Sequence, residues 1–450
     1  MMKKIVWAVM ALVVMFTSCN DDDYLNVIPG SSVALLSVDL QQMQQNAGEG
    51  SDGLAHSLCR ALGISADEDM GVDMSSRLFF FESQDGAFGL AAKVADRKRV
   101  ERFFGHLAEK GICQELTTNH GNSFTVVKGS WVAGIGNSAL VVLGPVLPAQ
   151  QTETVRQINA YFKQDDDMGI KSSPLFERLE TMSSAVSLVA QAAALPEKFV
   201  APFTLGTSDK TDLSQVLIAA EIERADGCLR VKSNTFSQNK QVNDDLVEAK
   251  KAFRPLNGVY HGQLSGADFC SLLMNANGGE LLKLMQKNRS LTALLTGVNT
   301  AIDMNKILQG VDGEIAVIAH DTTPAVSVHA QLANDEFLKD VGYWMESCPE
   351  GASIRKDVKS EHSFVYQDKE RKFFFWVTPD QQFKGQLVPN GSSLSPGKAM
   401  NPSAVKMLQG EKVCLLLNLK GLGSDEIVET IKSVLFPVTG SISTIICTMQ

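Results

Sequence analysis

Several things are missing from these 450 residues: an apolar run long enough to cross a bilayer, a C-x-x-C pair, a cluster of Lys and Arg, and a G-x-S-x-G or i,i+4 histidine motif. Each absence removes a class of function. The apolar run near the N-terminus, residues 5–16, stops at twelve residues, where a spanning helix needs about 20. With Lys3 and Lys4 set aside, 39 basic residues stand against 51 acidic ones, a net charge of −12. Phosphate contacts need clustered cations, so nucleic acid is not expected as a partner. Seven cysteines lie beyond Cys19, an odd number without zinc or disulfide spacing. Cys270, Cys414 and Cys447 sit in apolar runs and read as core thiols. Tryptophan is scarce too: past the leader there are Trp131, Trp344 and Trp376, against 22 phenylalanines in the whole chain, a balance that suits a core better than a sugar-stacking strip.

What is present begins with an address. Lys3 and Lys4 followed by the twelve-residue apolar core form a signal peptide over residues 1–18. Phe16-Thr17-Ser18-Cys19 resembles a bacterial lipobox, with Phe16 in place of the commoner Leu, which implies that Cys19 carries diacylglycerol, palmitate among its acyl chains. After Cys19 and Asn20, the aspartates Asp21, Asp22 and Asp23 resemble the acidic signal that carries Bacteroidetes lipoproteins to the outer face of the outer membrane; a solvated tether is the plainer alternative. The expected location is the outer membrane, anchored through lipid on Cys19 and facing the cell exterior, with the periplasmic face as the alternative. Residues 19–30 are expected to form an acidic tether.

Beyond the tether the sequence repeats itself. AFGLAAKV (87–94) reads as a strand, Asp96 caps a helix with Val100, Phe103, Phe104 and Leu107 on one face, and Gly111 ends it. AVSVHAQL (325–332) reads as a strand, Asn334 caps a second helix, and Leu338, Val341 and Met345 take the matching apolar places. Ser173-Pro174 and Asn401-Pro402 open a second pair of helix-then-strand segments, offset by 228 residues where the first pair is offset by 238. Tight-turn pairs such as Asp85-Gly86, Gly136-Asn137 and Asp226-Gly227 join neighbouring strands. The expected class is α+β, in two tandem similar halves, 31–250 and 251–450, each an antiparallel sheet with helices packed on one face. The hairpin over 213–237 has a counterpart near 441 of which one strand is present, so residues 441–448 are expected to occupy the place of 215–222, with an edge that either another segment covers or through which the chain associates.

Tyr24-Leu25-Asn26-Val27-Ile28-Pro29 followed by SSVALLSVDL, together with the strand-plus-capped-helix units, resembles the Bacteroidetes lipoproteins grouped as domain-of-unknown-function family 4836. The resemblance supports the address and brings no activity, cofactor or catalytic residue. GSSLSPGKA (391–399) has five residues between its glycines and Ala399 where a phosphate loop has four and a hydroxyl, so it reads as a linker. Gly134-Ile135-Gly136 reads as a hairpin, Asp165-Asp166-Asp167 as a solvated loop without calcium-loop spacing, and His320, His329 and His362 as surface or strand-end histidines. No metal, cofactor or catalytic residue is expected. The expected role is a non-catalytic binding or structural lipoprotein with a protein or glycan partner; the alternatives are a glycan-binding accessory lipoprotein and a hydrolase whose site has no sequence signature.

Overall fold

A computed structural model describes residues 22–46, 70–195, 200–225, 227–288, 301–320, 325–357, 362–391, 399–419 and 444–449. The leader, Cys19, Asp21 and the turn residue Asp226 lie outside the described residues. The fold is mixed α/β, built on antiparallel strands with nine α-helices among the described residues. The chain divides into two compact units, Met1–Val189 and Ala190–Gln450.

In the first unit the strands are β1 (Ala34–Val38), β2 (Leu78–Glu82), β3 (Phe88–Lys93), β4 (Thr117–Asn119), β5 (Asn122–Val127), β6 (Trp131–Ile135), β7 (Ala139–Gly144) and β8 (Val186–Gln191), whose first four residues belong here. They lie in the order β8-β1-β2-β3-β7-β6-β5-β4. The helices are α1 (Leu40–Asn46), α2 (Arg97–Glu109), α3 (Gln151–Tyr161) and α4 (Pro174–Glu180). Caps read from sequence hold locally: Asp96 accepts the N–H groups of Lys98 and Arg99, Ser173 accepts that of Leu175, and Gly111 follows α2 at φ +70°.

Helices cover both faces of this sheet, not the single face expected. Adjacent strand residues point to opposite faces. Leu78 packs into the cluster of Val100, Phe103, Phe104 and Leu107 from α2, whereas the ring of its neighbour Phe79 lies 6.4 Å from Phe176 of α4. In β6, Ala133 and Ile135 join the α2 cluster while Gly134 faces Ile158 of α3, and a Cβ there would meet Ile158 at 2.6 Å. The runs VALL, LFFF and ALVVL are apolar at consecutive places because both sides are largely covered, Phe80 excepted. Of the tether expected over 19–30, the part from Tyr24 to Ile28 is packed into the fold. Tyr24, Leu25, Val27 and Ile28 are buried in and after a 3-10 turn, Asp23–Val27, because four apolar side chains so close together gain more from packing than from solvation.

The second unit holds β9 (Leu217–Ala225), β10 (Cys228–Phe236), β11 (Asp268–Asn277), β12 (Val311–His320), β13 (Ala325–Leu332), β14 (Ser353–Lys356), β15 (Ser363–Gln367), β16 (Arg371–Val377), β17 (Gln382–Pro389), β18 (Val413–Asn418) and β19 (Thr444–Met449). Their order is β9-β10-β19-β18-β11-β12-β13-β17-β16-β15-β14. From β18 to β14 this runs through chain-order places in the same succession as β8 to β4. The helices are α5 (Lys240–Lys250), α6 (Gly278–Lys287), α7 (Met304–Gln309), α8 (Val341–Glu346) and α9 (Pro402–Lys406), the last capped by Asn401 through the Ser403 N–H. Again both faces are buried: Ile315 packs with Ile307 of α7 and with Val341 and Trp344 of α8, and its neighbours Ala316 and Ile318 pack with Ala404 of α9 and with Tyr260 and Leu264.

Two expectations change here. The helix after Asn334 starts as a 3-10 turn, Glu336–Asp340, before α8. Asn334 still accepts the Glu336 N–H at 3.2 Å, but the tighter winding of the first turn rotates the apolar face. Phe337 and Trp344 stack at 6.3 Å while Met345 is exposed. The late strand forms, as Thr444–Met449, and its edge is covered. β10 pairs with it in parallel, Cys228 opposite Thr444 through Ser233 opposite Met449, and β18 pairs on its other side. This pairing also explains why 190–250 belongs with the second unit and the chain divides earlier than the expected boundary at 250: β9 and β10 share their sheet with β19.

A close contact gives a direct test of this packing. A Cβ at Gly278, the first residue of α6, would lie 1.8 Å from the Leu308 carbonyl oxygen of α7. Backbone cannot yield as a side chain can, so Gly278→Ala should destabilise the protein by roughly 3 kcal/mol or more. Urea denaturation followed by far-UV circular dichroism measures this; a change below about 1 kcal/mol contradicts the α6–α7 contact.

Candidate functional site

Titratable groups converge on the α9 face of the second unit's sheet. Glu314, fully buried in β12, accepts backbone N–H groups from three successive residues, Asn257 and Gly258 on Oε1 and Val259 on Oε2, the last two at 2.8 Å. Gly258 reaches this geometry at φ +90°. Beside Glu314 the ladder between β12 and β13 slips, with Gly313 at φ +147° and the Gln331 carbonyl Oε1 taking the Glu314 N–H at 2.9 Å. The carboxylate thereby holds the segment 257–260 on the sheet and sets Tyr260 over His329, their rings 5.6 Å apart. The Tyr260 hydroxyl donates to Gln382 Oε1. Burial, then the charges of Glu314 and Asp380, raises its pKa so that it stays a donor.

Next to this pair lies a chain of three polar residues. Asp268 Oδ1 is 2.8 Å from His320 Nδ1, and His320 Nε2 is 2.7 Å from Ser327 Oγ. A carboxylate accepts only, so Nδ1 carries the proton and Nε2 accepts from the Ser327 hydroxyl. Three adjacent strands supply the three residues. Asp268 stands opposite His320 in the β11–β12 ladder, and Ser327 stands opposite Ile318, two places from His320, in the β12–β13 ladder. A register shift between Asp268 and Cys270 turns Asp268 onto this face; without the extra residue its side chain would point the other way. Asp268 is further fixed by the Ser265 N–H, which donates to Oδ2 at 2.7 Å. Ser327 is 4% exposed, and the His320 side chain is 25% exposed. An Asp–His–Ser series of this connectivity can pass a proton from the hydroxyl to the imidazole while the carboxylate orients the ring.

The same face continues past His329. Ser327 is opposite Gln386 and His329 opposite Lys384, while Phe374 and Trp376 stand opposite Gln386 and Lys384 in turn. All four of these outer residues are half-buried. His329 is buried, its Nδ1 has no hydrogen-bond partner among the described residues, and burial first, then the charges of Lys384 and His320, pushes its pKa down to about 4.

The first unit offers a different surface. Phe80 and Phe88 share a sheet face, with Phe88 opposite Glu82, and both rings are exposed. Trp131 lies beside them: Phe88 is opposite Gly144, where a Cβ would meet the Trp131 ring at 2.8 Å.

Residues singled out in the sequence fall as follows. Asp22 and Asp23 are exposed at the start of the first 3-10 turn. Cys270, Cys414 and Cys447 are free thiols within strands, and burial pushes Cys414 up to about 12 and Cys447 to about 11, which makes them inert core groups. Asp166 pairs with Lys171 at 3.0 Å and Asp165 accepts the Met168 N–H, so the run forms a turn; no group of metal-ligating side chains occurs among the described residues. Gly134 is in β6 and His362 is exposed. Sequence reasoning passed over Asp268 and Ser327 and treated His320 by itself. Hydrophobic alternation in ADFCSLLM could have flagged Asp268 only if the bulge were known.

A family model described as a domain of unknown function (DUF4836) matches residues 64–386. No curated protein matches the chain. Among solved structures, the chain is similar to crystal forms I and III of TP0453, at 10% and 11% identity, with TM-scores of 0.29 and 0.27, covering 44% of this chain and 73% and 74% of theirs. Crystal form IV matches at 15% identity and a TM-score of 0.25, over 38% of this chain and 66% of its own. No helix among the described residues is long and apolar enough to cross a membrane.

The buried imidazole of His329 predicts a pH dependence. Its ring takes a proton near pH 4 in the fold and near 6.5 in the unfolded chain, so the unfolded state binds more protons between those values. The contribution is complete above pH 6.5 and is lost as pH falls toward 4, up to about 3 kcal/mol. Urea midpoints of the wild type and His329→Phe, taken from pH 7 to 4, should differ in slope, the variant's being flatter. Equal slopes overturn the assignment.

Proposed function

Because the chain belongs to the family defined as a domain of unknown function (DUF4836), a role has to come from its own residues, and we propose that it is a lipid-anchored protein of the outer membrane, facing the cell exterior, with a binding or structural role that requires no catalysis. One observation carries the anchor. Asp22 and Asp23 are exposed, while Tyr24, Leu25, Val27 and Ile28 directly after them are buried. The polar stretch behind Cys19 is therefore four residues long, and at ~3.5 Å per residue the first unit begins within about 20 Å of a lipid carried by that cysteine. Asp21, Asp22 and Asp23 form the export signal in this reading. The shared strand succession in the two units, with Ser173 and Asn401 capping helices at matching places before β8 and β18, supports an origin by tandem duplication of one α+β half.

A glycan is the ligand that one further observation favours. Phe80, Phe88 and Trp131 lie on one sheet face, and ring faces of this kind stack against the CH faces of sugars. In affinity electrophoresis with soluble amylopectin, xylan or mucin, binding to at least one of them should weaken about tenfold or more in Phe88→Ala, a loss of ~1.4 kcal/mol. Equal mobility of the wild type with and without all three polysaccharides rejects this ligand class.

The anchor is tested by mass spectrometry of the native protein, which should find Cys19 as an acylated first residue; an unmodified Cys19 or cleavage elsewhere contradicts it. Replacing Asp21, Asp22 and Asp23 by alanine should leave acylation intact and protect the protein from protease added to whole cells. Equal digestion of both forms would remove the export role, and protection of both would place the protein on the periplasmic face.

A further inference from the structure

We propose that Ser327 is an acyl-accepting nucleophile and that the second unit hydrolyses short-chain carboxylic esters, an activity beyond the anchored role above. The connectivity is complete: Asp268 holds Nδ1 of His320 at 2.8 Å, and Nε2 faces Ser327 Oγ at 2.7 Å. In this series the Ser327 oxygen attacks the ester carbonyl carbon as its proton passes to Nε2. The bond from that carbon to the alcohol oxygen breaks, and the departing alkoxide takes the proton from the imidazolium. Water then attacks the acyl group on Ser327, gives one proton to Nε2, and the carboxylic acid leaves as Ser327 recovers that proton. Ester and water become acid and alcohol, with no other reactant. Asp268 stabilises the imidazolium at both stages and takes no proton.

The surroundings select the substrate. Ser327 is 4% exposed, so the acyl group that reaches it is small, of acetyl size, and it enters along the open flank of His320, whose side chain is 25% exposed. Trp376 and Phe374 lie on the same face, across from Lys384 and Gln386, the latter opposite Ser327 itself. Two half-buried rings beside an ammonium and an amide suit an alcohol portion with an apolar face and hydrogen-bonding substituents. The site also rests on a built frame, since the β11 bulge and the Ser265 N–H fix Asp268 against any other position.

The test uses the full chain in detergent with a fluorophosphonate probe and p-nitrophenyl acetate. The wild type should be labelled, with the adduct on Ser327 by tandem mass spectrometry, and should hydrolyse the acetate ester. Ser327→Ala should abolish both, and Asp268→Asn should lower kcat by ~10²–10⁴ with an altered pH profile, as expected when the ring loses its orienting carboxylate. The proposal is overturned if the wild type is not labelled, if labelling persists in Ser327→Ala, or if the adduct lies elsewhere. A purely structural role for the three residues would move the urea midpoint of Ser327→Ala while leaving the wild type unreactive, which also overturns it.

Discussion

The second unit depends on one buried charge. Glu314 has no exposed surface, and an uncompensated carboxylate in such a place would cost several kcal/mol. The three N–H groups of Asn257, Gly258 and Val259 answer that cost, and in doing so they tie an irregular segment to the middle of a sheet. Everything on that face follows from the tie. Leu256 exchanges hydrogen bonds with the segment after α9, Tyr260 is carried over His329, and Leu264 closes the cluster that α9 completes. Removing the charge at position 314 would take away the three hydrogen bonds that hold the segment and, with them, the placement of Tyr260 over His329.

The same face sets polar residues beside its apolar cluster. Burying Asp268, His320 and Ser327 together is tolerable because each hydrogen-bonding position between them finds a partner. His329, on the same face, is less well served: its Nδ1 lacks a partner, and burial lowers its pKa so that the ring stays neutral. A neutral ring over Tyr260 and an oriented ring at His320, nine residues apart on neighbouring strands, show how identical side chains diverge through their neighbours alone.

What the sequence made legible was local. The caps at Asp96, Ser173 and Asn401 and the glycine after α2 all depend on residues within a few places of one another, and each forms as read. What escaped depends on distant partners or on single-residue slips. The bulge that turns Asp268 is invisible without β12 opposite it, and so the Asp268–His320–Ser327 chain was not assembled from sequence. The edge of the last strand is covered by another segment, one of the two outcomes the sequence left open, but the cover is β10, a segment assigned by sequence to the other half. Helices on both faces were missed because consecutive apolar residues were read as strand propensity, when they record burial on two sides. After Asn334, Val341 and Leu338 pack as expected, but Trp344 takes the place expected of Met345, because a 3-10 turn and an α-turn share the same sequence cues.

The parallel pairing of β10 with β19 has a consequence in time. Ser233 donates to the Thr448 carbonyl across a separation of 215 residues. A ribosome adds about 5–20 residues per second, so β10 emerges on the order of 10–40 s before the strand that completes it. Throughout that interval the edge of β10 is a ladder of unsatisfied donors and acceptors on a nascent chain. Vectorial synthesis therefore leaves the second unit unfinished until its distal strand arrives, and until then that edge is open to pairing with a wrong partner.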